Sequence, residues 1–281
     1  DLVFAELCRD EGHLLRRNIE QHAWDGGWYR RAWFDDGTAL GSAVNEECQI
    51  DSISQSWSVL SGAAAGTGDR ARSRQAMQAV DERLVRREYA LVQLLDPPFD
   101  KSNVDPGYIR GYVPGVRENG GQYTHGAVWA AMAFAELGEG ERAWELLTMI
   151  NPVSHSLSAA GAATYKVEPY VVAADVYALS PHIGRGGWSW YTGSAGWMYR
   201  LIVESLLGLR RNGEQLRLAP CLPRDWPGFS IRYRYRETTY HITVTQTRAD
   251  AALQSGVTRV TVDGVEHDDQ AIALFDDHRE H

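Results

Sequence analysis

The hydrophobic period of this chain changes once, near Gly213, from about 3.6 residues to about 2, so helices must come first and strands second. Upstream, residues 2–20 carry apolar side chains at helical spacing. Residues 50–65 put Ile50, Ile53, Trp57 and Leu60 on one helix face, and residues 69–87 put Ala76, Val80 and Leu84 on another. Residues 125–137 (HGAVWAAMAFAEL) predict a buried helix with 141–150 as its partner, and 167–179 with 194–207 predict a second such pair. Downstream, residues 215–218, 230–236, 239–247, 252–254, 257–262 and 271–274 alternate apolar and polar positions between turn signals such as Asp263-Gly264. Short strands at this spacing predict an antiparallel β-sandwich. The expected fold class is mainly α, then β, with a boundary near 209–213: a helical part over 1–210 and a sandwich over 211–281.

The helical part alternates helix, long loop, helix, short turn, helix at intervals of roughly 50 to 70 residues, too loose for a TPR or HEAT array. It fits a toroid of helical hairpins whose long loops gather at one mouth, where function tends to sit.

Composition serves mainly to exclude. Lys plus Arg is 28 and Asp plus Glu is 37, a net charge of −9. An acidic chain without a basic stripe is a poor ligand for nucleic acid or for an anionic membrane surface. The longest apolar run, 127–135, is far short of the roughly 18 residues that span a bilayer. Cys8, Cys48 and Cys221 lie far apart without a CxxC, so neither a disulfide framework nor a zinc site is expected. Reduced thiols in a cytoplasmic setting fit this usage. The chain starts at Asp1 without a methionine, and a longer parent polypeptide is expected. Ten Trp and 13 Tyr beside 27 Gly suit carbohydrate, whose apolar ring faces stack on aromatic faces, although core packing accounts for the same count.

Two loops concentrate polar groups at helix starts. The first, PGYIRGYVPGVRENGGQYTH (106–125), runs into the apolar helix, with Thr124 as the expected cap and His125 in the first turn, where free N–H groups favour an anion. A solvated Arg117–Glu118 pair and a structural His125 are the plain alternative. The second, GRGGWSWYTGSAGW (184–197), has the same form, with Thr192 or Ser194 as cap and Gly193 allowing close approach to the backbone. Two such starts facing one cavity would hold a phosphate between them; no GxxxxGK[ST] loop is present. Glu168, before Pro169, either points into a cavity or pairs with Lys166. Of the acidic pairs, Asp35-Asp36 reads as a solvated turn, and neither it nor Glu46-Glu47 stands out as a proton donor.

The segments WDGGWYRRAWFDDGTALGS, NEECQIDSISQSWSVLSGAA, PGYIRGYVPGVRENGGQYTH, YKVEPYVVAADVY, GRGGWSWYTGSAGWMYRL and APCLPRDWPGF resemble, in order, the C-terminal half of glycoside hydrolase family 94. They are most similar to its cyclic β-1,2-glucan synthase and 1,2-β-oligoglucan phosphorylase branch. The resemblance implies a partial (α/α)6 barrel followed by a β-sandwich, and inverting phosphorolysis that yields α-glucose 1-phosphate. It implies no metal or organic cofactor, inorganic phosphate being the co-substrate and nucleophile. His125, Thr192 and Gly193 fall on the family's phosphate contacts. Arg117, Glu118 and Tyr112 resemble its acceptor-side sugar contacts, and Glu168 and Tyr170 match its EPY.

In one respect the chain departs from the pattern. The family's catalytic aspartate lies in a DWNDG-like stretch upstream of the WDG segment, and no such stretch occurs here. No catalytic residue is therefore assigned: the general acid is expected upstream of residue 1, and the chain alone is expected to be inactive. Expected partners are a β-glucan oligosaccharide, phosphate and the remainder of the same protein; family phosphorylases are often dimers, which makes a homodimer an expectation too. A cytoplasmic setting, or the cytoplasmic face of the inner membrane for a glucan synthase, follows from the same resemblance. A phosphorylase for another β-disaccharide such as cellobiose, and a non-catalytic sugar-binding module, are the alternatives.

Overall fold

The computed structural model describes residues 1–62, 70–103, 105–247, 257–267 and 271–281. The expected strand at 252–254 lies outside the described residues, as do 63–65 and 69 of the two expected helices.

The helices are α1 (Leu2–Asn18), α2 (Ser52–Leu60), α3 (Ala71–Arg83), α4 (Thr124–Glu136), α5 (Gly140–Ile150), α6 (Pro152–His155), α7 (Ala159–Tyr165) and α8 (Thr192–Arg200). Helix α4 is the hub. Ten of its 13 residues are buried, as an all-round apolar sequence requires. Its alanines let α2, α3, α5 and α8 pack closely around it, with Val59, Met77, Val80, Leu146, Leu147 and Met198 in the shared core. Ala76, Val80 and Leu84 are fully buried, as the stripe on α3 predicts.

Two expectations fail. The buried face of α2 is Ser52, Gln55, Ser56, Ser58 and Val59; of the expected stripe, Trp57 is exposed, Ile53 is half-buried and Leu60 only reaches the edge of the core. Ile50 is buried too, but as a strand residue pairing with Asp96. Small polar side chains allow close approach to α4, and Gln55 satisfies itself on backbone: its Oε1 accepts from Tyr29 N at 2.8 Å and its Nε2 donates to Tyr29 O and Asp51 O, both at 2.9 Å. The expected helix over 167–179 does not form. Pro169 bars helix for the residue before it, and the β-branched run that follows feeds a strand, Asp175–Val176, paired antiparallel with Gln122–Tyr123. The helical turn at this point of the chain is α7, which ends on Lys166 in the left-handed region.

The helical path runs past α8 through a wider π turn (Leu201–Leu206) to Gly208. Gly208 has φ +72, and a Cβ there would lie 2.1 Å from the Ala219 carbonyl carbon, so only glycine makes this passage. Strand pairing begins at once with Leu209–Asn212, antiparallel to Gln215–Leu218, which pairs in turn with Ala271–Ala273. Gly228–Tyr235 and Thr238–Thr245 form a long hairpin, and Val260–Val262 and Val265–His267 a short one across Asp263-Gly264. Leu216, Tyr235, Tyr240, Ile242, Val260, Ile272 and Leu274 join the sheets into a sandwich core. Trp144 ties the two parts: its Nε1 donates to Cys221 O at 2.7 Å and its ring meets that of Trp226 at 4.6 Å. The fold is mainly α, then β.

Candidate active site

Strand Gln122–Tyr123 delivers the first polar loop into α4, and its partner Asp175–Val176 lies beside the second. Asn119, fully buried, staples the first loop by accepting from Phe99 N and donating to Phe99 O and Tyr112 O. That staple leaves Arg117 at φ +50, with its guanidinium 5.4 Å from the ring centre of Tyr112, 5.5 Å from that of Trp188 and 3.5 Å from the Glu118 carboxylate. Tyr112, Arg117 and Glu118 are thus brought together, with Trp188 added from the second loop.

The two helix starts meet at His125. Its ring stacks on Tyr123 at 5.3 Å and lies 5.9 Å from Tyr191, the residue before Thr192-Gly193. A Cβ on Gly193 would lie 2.8 Å from His125 Nε2, so the glycine is what lets the second start reach the histidine. The capping expectations are corrected. Neither helix has a side-chain cap: Thr124 and Thr192 are the first helical residues, and Ser194 Oγ donates backwards to Tyr191 O. Thr124 N is taken by Ala174 O at 2.8 Å, but no side chain caps the N–H groups that follow it in α4 or those that open α8. Tyr123 and Tyr191 share a hydrogen bond, and burial, followed by that bond, pushes the Tyr123 hydroxyl up to about 12. Burial alone pushes His125 below its ordinary value, so its ring is neutral near pH 7.

Glu168 does not pair with Lys166. It accepts from Trp190 Nε1 at 3.1 Å, and Trp190, at φ +60, lies 6.4 Å from the Tyr170 ring. Asp36 lies in an exposed turn, accepting from Thr38 N. Burial pushes Glu47 up, but hydrogen bonds from Ser102 and from the N–H groups of 100–102 outweigh it and hold the carboxyl at about 2. A carboxylate so stabilised is a loop staple, not a proton donor.

Sequence reasoning missed Asp175. It is 1% exposed, and its one signal was an acid inside an apolar run, VVAADV. Ten buried side-chain polar atoms find no hydrogen-bond partner among the described residues, and six belong to Arg117, Glu118, Thr124, His125, Trp129 and Asp175. Arg117 Nε and Glu118 Oε2 face each other across the 3.5 Å ion pair; the other four are without any polar partner, and such orphaned buried atoms are costly, so their concentration here marks a place where a polar ligand or water belongs. Volume does not mark it: a cleft of 2100 Å³ runs between the start of α5 and the sandwich and touches none of these residues. Among the described residues no three His, Cys, Asp or Glu side chains converge as metal ligands.

The catalytic-domain model of the glycosyl hydrolase 94 superfamily matches residues 5–208. The chain belongs to this family. Its next segment, 209–274, matches the C-terminal domain of glycosyl hydrolase family 65. Together these make the helical part a partial (α/α)6 barrel and the rest its β-sandwich. The chain is 54% identical over 238 residues to cyclic β-(1,2)-glucan synthase NdvB of Rhizobium meliloti (strain 1021), covering 84% of this chain and 8% of that protein. It is 33% identical to solabiose phosphorylase of Paenibacillus borealis over 97% of this chain and 35% of that protein. It is 34% identical to N,N'-diacetylchitobiose phosphorylase of Vibrio proteolyticus, over 89% of this chain and 30% of that protein. The chain thus spans about a third or less of each of these relatives. Among the described residues no helix is long and apolar enough to cross a membrane.

Proposed function

We propose that this chain forms the phosphate-binding and acceptor-binding side of an inverting β-1,2-glucan phosphorylase site, in a polypeptide of the cyclic glucan synthase type. One observation carries the reading: two helix starts without side-chain caps converge on a neutral, partly buried His125. Such a junction offers several N–H donors and a positive dipole end to one anion. Phosphate sits there, against His125, Thr192 and Gly193. Arg117, Glu118 and Tyr112 hold the sugar that leaves, with Glu168 at the rim. A phosphate oxygen attacks the anomeric carbon from the face opposite the glycosidic oxygen. That oxygen departs with a proton from an aspartic acid outside these residues, and α-glucose 1-phosphate results. Phosphate is the co-substrate; the proposed chemistry uses no metal or organic cofactor. The β-1,2 linkage draws its support from the glucan synthase likeness, and with it comes a reaction on the cytoplasmic side.

The test is release of glucose 1-phosphate from β-1,2-gluco-oligosaccharides and phosphate. Full-length protein is expected to release it, and its His125→Ala variant to lose at least about a hundredfold in kcat/KM, roughly 2.7 kcal/mol. The 281-residue chain alone is expected to release none; turnover by that chain would sink the division of labour proposed here.

A further inference from the structure

We infer that Asp175 is a positioning residue for the sugar-binding side of this site, its buried carboxylate holding Arg117 from one loop and Trp188 from the other in a single arrangement. The inference rests on the function proposed above.

Every backbone link around Asp175 joins the two loops. Its own strand position pairs with Tyr123, and Thr124 N donates to Ala174 O at 2.8 Å. On the other side, Gly187 N donates to Asp175 O at 2.8 Å and Ala174 N to Trp188 O at 2.6 Å. The side chain continues the pattern. Oδ1 accepts from Trp188 N at 3.2 Å, while Oδ2 is buried without a hydrogen-bond partner. Room for the carboxylate exists only because residue 187 is glycine: a Cβ there would lie 2.4 Å from Oδ1 and 2.5 Å from Oδ2.

The charge matters as well as the shape. The Arg117 guanidinium lies 3.5 Å from the Glu118 carboxylate and within 5.5 Å of the ring centres of Tyr112 and Trp188, and the Asp175 charge acts on it from farther off. Glu118 adjoins Arg117 in the chain and moves with its loop. Asp175 belongs to a different strand and so supplies a reference point that Glu118 cannot. Burial penalises this carboxylate, and the Trp188 N–H and the Arg117 charge offset part of that penalty. An apolar residue would have staple-free packing at lower cost, so a buried acid here is explained by what it holds.

Asp175→Asn separates the two roles, because the amide oxygen still accepts from Trp188 N while the charge is gone. In full-length protein assayed in the synthetic direction, with α-glucose 1-phosphate as donor, KM for the acceptor sugar is expected to rise about tenfold. KM for glucose 1-phosphate and kcat are expected to stay within about twofold, and the thermal midpoint is not expected to fall. Gly187→Ala keeps the charge but displaces the carboxylate, and the same split is expected. An unchanged acceptor KM in Asp175→Asn overturns the inference, whatever Gly187→Ala does. So does a parallel loss in both KM values together with a lower midpoint, which is the behaviour of a scaffold residue. If wild-type protein neither releases glucose 1-phosphate from β-1,2-gluco-oligosaccharides and phosphate nor consumes it in synthesis, the proposed function fails and takes this inference with it; activity in wild type with an indifferent Asp175→Asn sinks the inference alone.

Discussion

Gly193 lacks a side chain where His125 occupies the space one would need, a separation of 2.8 Å from a built Cβ to Nε2. Gly193→Ala must therefore push the histidine away or move the start of α8. In full-length protein the expected result is a rise of about tenfold in KM for phosphate, near 1.4 kcal/mol, with KM for the sugar much less affected. A rise in the sugar KM alone would put the anion elsewhere. Histidines also set a pH dependence. Burial pushes His125 and His155 below the ordinary imidazole value. The unfolded chain therefore binds more protons than the folded one between the lowered values and about 6.5. Stability is fully present above that range and lost as pH falls through it. From pH 7 to pH 5 these two lower the thermal midpoint while His281, pushed up by its hydrogen bond to Asp263, acts in the opposite sense. The midpoint of His155→Gln, which removes a ring stacked 4.6 Å from Tyr165, should therefore fall less over that range than that of the wild type, and an equal or larger fall would contradict this.

At the scale of elements, α2 shows how a helix can be held by its polar side. Gln55 is completely buried and completes the hydrogen bonds of Tyr29 and Asp51 backbone while α2 lies against α4. Gln55→Ala leaves the Tyr29 N–H unpaired and opens a cavity, an expected loss of about 3 kcal/mol by denaturant titration. A loss under about 0.5 kcal/mol would mean that water replaces the side chain without penalty. Periodicity could not reveal this face, because the apolar side chains of the helix, Ile53, Trp57 and Leu60, mark a different one. That ring is in fact 37% exposed and packs edge-on against Trp129 at 5.7 Å.

Over the whole molecule, the sandwich is anchored to the barrel part through Trp144, through Arg224 N donating to Glu141 at 2.8 Å, and through Arg210 and Glu136 at 3.3 Å. The opposite end is different. Helix α1 buries nothing and exposes Leu2, Val3, Phe4, Leu7 and Leu15 at 53% or more. Apolar surface so arranged makes the 281-residue chain, taken by itself, prone to self-association. Light scattering should show mass rising with concentration, and Leu7→Glu with Leu15→Glu should reduce it; a concentration-independent monomer would refute the expectation.

Local chemistry determined much of this molecule from sequence alone. The change of period near Gly213, a few residues past the start of the first strand at Leu209, announces strands after helices because side-chain periodicity is a property of the backbone. The apolar run after His125 makes α4 the hub because a helix apolar all round must be buried. The glycine-rich stretches before α4 and α8 mark where those two helices start. What the sequence left undecided depends on neighbours distant in the chain. Residues 167–179 look helical by spacing but form a loop with one short strand, Asp175–Val176, because Gln122–Tyr123 offers it a partner. The two helix starts meet because Gly193 fits against His125, across 68 positions of sequence. Asp175 is pinned by Trp188 and faces Arg117 only once that strand has formed. Contacts between groups far apart in sequence leave no periodic trace, so the tertiary structure alone brings these residues to one place.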